Sequence, residues 1–213
     1  MKVAFNIVSA AKIYAPEKIE DLQEKRIVPK MMLRRRLTRN AKIMLYLADK
    51  CAFKGGKIIY GSAYGELQAT TGITNAILEN EQISPTFFQN SVYNAAPSYF
   101  SLLYSDKDEI ITVSSGTRTS LSALKTAALQ ALISKERVLC VVVECLDIPK
   151  IDDVNSCTSY LESGAAVVIE VAKDKENASE LGESNQDNIL GSLRHLFWLV
   201  ENQFNKKKIL IEL

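Results

Sequence analysis

The sequence predicts a layered α/β fold in which a mostly parallel sheet is flanked by helices. Apolar runs of strand length alternate along the chain with longer segments of helical periodicity. The run at residues 138–143 has no polar face, which is typical of a strand covered by helices on both sides. These two observations favour one α/β layer structure over an all-helical or all-strand fold.

The elements follow from short apolar runs, which predict strands, and from apolar residues three or four positions apart, which predict helices. The expected strands cover residues 2–10, 57–61, 110–113, 138–143, 165–171 and 208–213. The expected helices cover residues 37–53, 66–78, 97–104, 121–132 and 189–204. Residues 173–187 are polar and acidic with few apolar side chains, so we expect a mobile loop there.

Length and composition indicate a globular protein with a single domain over residues 1–213, since 47% of its residues are hydrophobic and 24% are charged. No stretch approaches the 18 uncharged apolar residues that a membrane span requires, and no export signal is present. The four cysteines match no zinc spacing. We therefore expect a cytoplasmic protein with reduced thiols, no metal site and no cofactor.

The basic residues are unevenly distributed. A net charge of +1 argues against a dedicated nucleic-acid binder, yet residues 25–48 contain eight basic side chains and no acidic one. Six of them form the centre of the cluster: Lys30, Arg34, Arg35, Arg36, Arg39 and Lys42. Such a cluster attracts an acidic partner, and a solvated helix face is the alternative.

Residues 108–121 predict a strand-turn-helix elbow. A short apolar strand leads through Ser114, Ser115 and Gly116 to Thr117 and then into a helix rich in Ala and Leu. The start of a helix favours a thiolate or an oxyanion, because unpaired backbone N–H groups and the helix dipole lie there. The centre of this elbow, however, contains no cysteine.

The sequence contains a single histidine, His195, which limits the catalytic sites that the chain could form. A metal site with several histidines is excluded within this chain. The elbow lacks the Gly-x-Ser-x-Gly spacing of hydrolases, and no glycine-rich nucleotide-binding motif occurs. One enzymatic alternative stays open. It is a stand-alone acyl-transferring or acyl-hydrolysing enzyme that uses Ser114, Ser115 or Thr117 together with His195.

Five segments occur in an order and spacing that resemble the N-terminal half of β-ketoacyl synthases. They are Tyr-Gly-Ser-Ala-Tyr-Gly-Glu-Leu (60–67), Ile-Ser-Pro-Thr-Phe-Phe (83–88), Ser-Val-Tyr-Asn-Ala-Ala (91–96), the elbow, and Glu-Ser-Gly-Ala-Ala-Val-Val-Ile-Glu (162–170). The chain is most similar to short ketosynthase-like proteins called chain-length factors, such as those of aryl polyene pathways. The resemblance covers residues 33–171 and implies a thiolase-like half-fold.

The resemblance also implies loss of catalysis. The position of the family's catalytic cysteine falls on Thr117, and the family's two catalytic histidines belong to a C-terminal half that this sequence does not contain. A threonine hydroxyl without a base is a poor acyl acceptor. We therefore expect a catalytically inactive subunit that pairs with an active β-ketoacyl-ACP synthase in aryl polyene or related lipid or polyketide biosynthesis.

In ketosynthase dimers, the segments after the glycine loop and around Ser-Pro-Phe lie at the subunit interface and close the partner's acyl pocket. The resemblance thus implies a set of pocket, chain-length and interface residues: Tyr64, Leu67, Thr70, Thr74, Phe87, Phe88 and Asn94. An ordinary core or dimer contact is the alternative at each position. A further set is implied as contacts for an acidic acyl carrier protein or for the partner: Arg34, Arg35, Arg36 and Arg39.

Overall fold

The centre of the protein is a mixed β-sheet with helices on both faces, seen in a computed structural model that describes residues 1–148, 160–186, 189–202 and 208–213. Within these residues the sheet has seven strands in the order β3-β2-β4-β5-β1-β7-β6. The strands are β1 (Lys2–Ala15), β2 (Lys57–Gly61), β3 (Ile110–Val113), β4 (Val138–Cys145), β5 (Glu162–Val171), β6 (Ser179–Glu180) and β7 (Lys208–Glu212).

The helices form two layers. They are α1 (Glu24–Ile27), α2 (Met31–Arg34), α3 (Arg39–Lys50), α4 (Leu67–Leu78), α5 (Pro85–Asn90), α6 (Ala95–Tyr104), α7 (Thr119–Ser134) and α8 (Arg194–Glu201). Helices α3 and α6 build an apolar core on one face of the sheet, while α7 and α8 build the core on the other face. The predicted α/β layer architecture is therefore confirmed.

The prediction of a mostly parallel sheet is correct only for the β3-β2-β4 part and for the short β6–β7 pair. Strand β5 runs antiparallel to both β4 and β1, and β1 runs antiparallel to β7. The β4–β5 register explains this antiparallel direction, because Glu162 at the start of β5 pairs with Cys145 at the end of β4. The chain thus doubles back instead of crossing over the sheet as a parallel pair requires.

The predicted element bounds agree best for the two short parallel strands β2 and β3. Strands β2 and β3 begin and end where the sequence predicts, whereas β1 continues to Ala15 because it pairs with the whole of β5. The expected helix after Pro97 begins at Ala95, and α5 precedes it. The expected helix over 189–204 is a 3-10 turn, Gly191–Leu193, followed by α8.

Three predictions fall partly or wholly outside the described residues. These are the thiol of Cys157, the end of the last helix at residues 203–204, and residue 187 of the expected loop. The described part of that loop contains β6, a two-residue strand at the sheet edge. No helix in the described ranges is long and apolar enough to cross a membrane. The cytoplasmic location and the single domain stay predictions.

Small residues bring α7 close to the sheet. Its buried face consists of alanines such as Ala123, Ala127 and Ala131, which have no exposed surface. At the end of β2, a Cβ atom on Gly61 would lie 2.9 Å from side-chain carbons of both Thr119 and Val142. Glycine is therefore needed at that position, and its absence of a side chain seats the start of α7 directly beside the end of β2.

Candidate functional site

The candidate site lies where the carboxyl ends of the parallel strands β2, β3 and β4 meet, the edge at which open α/β sheets bind ligands. The turn at residues 62–66 follows β2, and the elbow follows β3. Together with residues 190–192 they enclose a cleft of about 250 Å³. Seven residues line it: Ala63, Tyr64, Gly116, Thr117, Leu190, Gly191 and Ser192.

The elbow predicted from the sequence is present. Gly116 has a φ of 54°, a left-handed conformation that glycine adopts without strain, and it opens the 3-10 turn Gly116–Arg118. The Thr119 hydroxyl donates to the Gly116 carbonyl oxygen at 2.7 Å and accepts from the Ser115 backbone N–H at 3.1 Å. This closed turn holds Thr117 directly before α7.

Thr117 lies in an exposed position without a general base. A Cβ atom on Gly191 would lie 2.9 Å from the Thr117 Cβ, so the glycine allows the two segments to touch. Among the described residues that line the cleft, none carries a carboxylate, an imidazole or an amine. A hydroxyl needs an adjacent base to become a nucleophile, and this cleft offers the Thr117 hydroxyl none.

His195 is bound elsewhere. Its Nδ1 lies 3.3 Å from the Ser120 Oγ, and its Nε2 lies 3.9 Å from a carboxylate oxygen of Glu183. Burial lowers the pKa of His195, and the Glu183 charge opposes this effect. Ser120 is fully buried, and its hydroxyl also accepts from the His195 backbone N–H at 3.3 Å. The hydroxyl that meets this imidazole thus belongs to a buried structural contact, not to the elbow residues 114–117.

Glu144 is the residue at this site that the sequence interpretation missed. It lies near the end of β4, has no exposed surface, and accepts hydrogen bonds from the turn after β2. Burial raises its pKa, and the hydrogen bonds from Ala63 and Ser62 oppose this effect. A signal existed, because Glu144 is the only charged residue in the apolar run at 138–146.

The same turn is held from the α3 side. The Asn40 side-chain amide donates to the Gly65 carbonyl oxygen at 2.8 Å, and the Thr38 hydroxyl donates to the Glu66 carboxylate at 2.9 Å. Burial raises the pKa of Glu66 to about 7, against the effect of the Thr38 hydrogen bond. Buried side chains on both faces of the sheet therefore fix residues 62–66.

The residues predicted for the pocket occupy different environments. Tyr64 lines the cleft, and Tyr64 and Leu67 both pack against the core on the α7 side. Thr70 and Thr74 are exposed, and their hydroxyls donate to the Leu67 and Thr70 carbonyl oxygens, each at 3.0 Å. Tyr64 thus belongs to the turn and its cleft, Leu67 opens α4 against the core, and the threonines lie on the exposed side of α4.

Aromatic residues of α5 lie beside α4. A Cβ atom on Gly72 would lie 2.6 Å from the ring of Phe87, so that ring packs directly on the glycine. Phe88 extends into solvent with 71% of its surface exposed. Asn94 lines a different cleft of about 580 Å³ along α6, together with Leu102. The structure thus groups Phe87 with α4 and assigns Asn94 to another surface.

Helices α4 and α5 and the segment after them form an exposed apolar surface, which we call the α4–α5 flank. Only Ala69 of α4 is buried. The exposed large apolar side chains of the flank are Ile77, Leu78, Ile83, Phe87, Phe88, Val92 and Tyr93. Monomeric proteins rarely expose contiguous apolar surfaces of this kind, which mark interaction sites.

The four predicted contact arginines divide into two groups. Arg39 is not a surface contact as expected, because its guanidinium binds the fully buried carboxylate of Glu162, with Nε 2.6 Å from Oε1. Arg34 donates to the Val28 carbonyl oxygen of its own chain at 2.8 Å. Arg35 and Arg36 are exposed and form no ion pair with any residue that the structure describes.

Metal ligation has no evident place in this part of the chain. No group of three or more His, Cys, Asp or Glu side chains among the described residues is arranged to hold a metal ion. Cys51, Cys140 and Cys145 are buried free thiols, and burial raises the pKa of Cys51 to about 11. These thiols are protonated at neutral pH and therefore unreactive.

Comparison with known proteins identifies the family. The family model for the N-terminal domain of β-ketoacyl synthases matches residues 10–204. The chain belongs to this family. No curated protein sequence matches the chain significantly.

Solved structures with the same fold include complexes of ketosynthases. One is a ketosynthase (ApeO) in complex with its chain length factor (ApeC) from Xenorhabdus doucetiae, with a TM-score of 0.65, 21% identity and 80% of both chains covered. The ishigamide ketosynthase/chain length factor has a TM-score of 0.62 and 13% identity, with 81% of this chain and 63% of that chain covered.

A third structure is AntDE:AntF, a type II PKS acyl-carrier protein in complex with its ketosynthase bound to the hexaketide. It has a TM-score of 0.63 and 15% identity, with 82% of this chain and 64% of that chain covered. The present chain thus spans less than two thirds of the length of two of these three structures. At such identities the likeness shows the fold, and it confirms the predicted ketosynthase-like half-fold.

Proposed function

We propose that this chain is a catalytically inactive, ketosynthase-like subunit of the chain-length-factor type. It pairs with an active β-ketoacyl-ACP synthase and shapes that enzyme's acyl pocket in aryl polyene or related lipid or polyketide biosynthesis. The observation that carries this proposal is the elbow. Thr117, the residue that the sequence resemblance assigns to the family's cysteine position, lies in the turn before α7, and the lining of its cleft offers no base.

The α4–α5 flank supports the pairing. Its apolar side chains are exposed in the single chain, as in Leu78 with 74% and Phe88 with 71% of their surface exposed. Burying such side chains against a partner contributes roughly 25 cal/mol for each Å² removed from water. The ApeO–ApeC and ishigamide structures are complexes of a ketosynthase with a chain length factor, which is the assembly proposed here.

The proposed pocket wall lies next to the flank. Tyr64 and Leu67 pack against the core at the start of α4, and the Phe87 ring packs on α4 at Gly72. Thr70 and Thr74 are exposed on α4 on either side of Gly72 in the sequence. Side-chain volume in this set would determine how far an acyl chain extends, because a packed tunnel has no spare space. Asn94 lies in the separate cleft along α6, so we leave it out of this pocket wall.

An acidic acyl carrier protein is the proposed second partner. Arg35 and Arg36 carry the exposed positive charge, and Arg34 lies beside them with its guanidinium anchored to the backbone. Exposed charges accelerate the encounter of oppositely charged proteins more than they add to affinity. Arg39 is left out of this contact because it is paired inside the chain. The AntDE:AntF structure contains a carrier protein bound to its ketosynthase.

Co-expression with an active ketosynthase tests the proposal. The two chains are expected to co-purify as one species in size-exclusion chromatography, and the complex should make products that neither chain makes alone. Incubation of the isolated chain with malonyl and acyl thioesters should leave its intact mass unchanged. An acyl adduct that disappears in a Ser114, Ser115 or Thr117 variant would instead indicate the stand-alone acyl-transferring or acyl-hydrolysing enzyme.

A further inference from the structure

Glu144 is a buried carboxylate that has hydrogen bonds but no cation. Its Oε1 accepts from the Ala63 backbone N–H at 2.7 Å, and its Oε2 accepts from the Ser62 hydroxyl at 2.8 Å and the Tyr64 backbone N–H at 3.3 Å. No ion pair to it exists among the described residues. Removing a carboxylate from water costs several kcal/mol unless donors replace the water, and here the three donors at 2.7–3.3 Å come from one turn.

Those hydrogen bonds organise four consecutive residues. The Ser62 hydroxyl, which donates to Glu144, also accepts from the Gly65 backbone N–H at 2.8 Å. Gly65 has a φ of 63°, so the turn reverses there with little strain. The pairing of Gly61 with Val142 places Glu144 level with this turn. One side chain of β4 therefore holds residues 62–64 directly and Gly65 through Ser62, while Asn40 holds the Gly65 carbonyl oxygen from the α3 side.

The turn carries a side chain of the proposed pocket. Tyr64 lines the cleft together with Thr117, and α4 begins three residues later at Leu67. Two of the donors to Glu144 are the backbone N–H groups of Ala63 and Tyr64 themselves. Glu144 thus contacts the backbone of Tyr64 without itself lining the cleft.

We infer that Glu144 is a positioning residue for product length, which acts by holding the turn that carries Tyr64. The inference rests on the proposed function, because it requires that Tyr64 belong to the pocket wall. Glutamine at position 144 has nearly the same shape but only one acceptor oxygen, so its NH2 group would face a donor of the turn. The turn must then shift, and the position of Tyr64 shifts with it.

The test uses the complex of the full chain with its ketosynthase and compares product lengths. We expect Glu144→Gln to lower the share of the main product about threefold, a difference of under ~1 kcal/mol between competing transition states. The yield of the purified complex should stay at the wild-type level. Glu109→Gln serves as the matched control, because Glu109 is exposed and pairs with Lys57 at the surface.

A double mutant distinguishes an effect of Glu144 that passes through Tyr64 from a general loosening of the fold. If Glu144 acts through Tyr64, Glu144→Gln should have no further effect on product length in a Tyr64→Ala background, because coupled residues are not additive. Ser62→Ala removes the hydroxyl that links Glu144 to Gly65 and should shift the products in the same direction. That milder variant decides the question if Glu144→Gln does not fold.

The outcomes separate the two proposals. A wild-type chain that fails to co-purify with a ketosynthase refutes the proposed function itself. A complex that forms normally, with products unchanged in Glu144→Gln and Ser62→Ala, refutes only the role of Glu144. Equal shifts in the presence and absence of the Tyr64 side chain would also overturn it, since the effect would then not pass through Tyr64.

Discussion

The turn at residues 62–66 and the α4–α5 flank are adjacent in the chain but opposite in character. Glu144 binds the turn from one face of the sheet, and Asn40 binds it from the other. The buried Glu66 at the end of the turn accepts a hydrogen bond from the Thr38 hydroxyl. The flank begins one residue later and leaves its large apolar side chains exposed.

This difference separates what the chain completes by itself from what it leaves open. Buried polar groups must find partners within the fold, because an unpaired one costs roughly 1–3 kcal/mol. Exposed apolar groups carry no such requirement and gain energy only when another surface covers them. The chain therefore supplies the partners for the buried polar groups of the turn itself. The α4–α5 flank beside it stays exposed until another surface covers it.

The largest expected effect concerns the buried ion pair between Arg39 and Glu162. Arg39→Ala leaves the Glu162 carboxylate buried without a cation, which should lower the free energy of unfolding by about 3–5 kcal/mol in urea denaturation. The control is Arg137→Ala, since Arg137 and Glu170 form an exposed pair whose loss should cost no more than about 1 kcal/mol. Equal losses would show that Glu162 is not in fact isolated from water.

Glu66 makes the free energy of unfolding sensitive to pH. Its folded pKa of about 7 lies above the ordinary value of 4.5, so the folded state favours the protonated form. Stability from this group is present below pH 4.5 and is lost as pH rises through 7. Between pH 5 and pH 8 the wild type should lose about 2 kcal/mol more unfolding free energy than Glu66→Gln.

Urea titrations at both pH values measure this difference. Glu79→Gln is the control, because it removes an exposed carboxyl group at the end of α4 instead of a buried one. A wild type and a Glu66→Gln variant with parallel pH profiles would contradict the assignment.

A substitution in the α4–α5 flank should weaken association with the ketosynthase without changing the free energy of unfolding of the chain. Phe88→Ser is expected to change the free energy of unfolding by less than about 0.5 kcal/mol, since the ring is largely exposed. It should nevertheless reduce co-purification with the ketosynthase. Ile133→Ser is a matched control on α7, because Ile133 is exposed to a similar extent, 66%. If both variants weaken the complex equally, the flank is not a specific interface.

The smallest expected effect is at the elbow. Thr117→Cys introduces the family's nucleophile into a cleft that supplies no base from its described lining. The isolated variant should show no condensation of malonyl thioesters when products are analysed by mass spectrometry. Turnover by this single variant would refute the proposal of an inactive scaffold.

Sequence patterns predicted the parts of the fold that have clear local boundaries. Strands β2 and β3 agree in both bounds, because short parallel strands next to helices read as apolar runs ended by turn residues. The elbow was also predicted, since its glycine and hydroxyl residues mark a turn between a strand and a helix. The absence of a cysteine from this elbow can be read directly from the sequence.

The partners of buried charges could not be predicted in the same way. Arg39 belongs to a basic cluster in the sequence, and its carboxylate lies 123 residues away on β5. Glu144 appears in the sequence as one acidic residue in an apolar run, and its donors lie about 80 residues earlier in the turn after β2. Neither contact has a local spacing that could reveal it.

By itself, the sequence determined the layer architecture, the family and the absence of a cysteine from the elbow, because these depend on residue types and short spacings. Only the tertiary structure decided the antiparallel half of the sheet, the internal pairing of Arg39 and the hold of Glu144 on the Tyr64 turn. Each of these depends on which distant strands become neighbours. That choice is made by burial across the whole sheet, where a charge must meet its partner or stay in water.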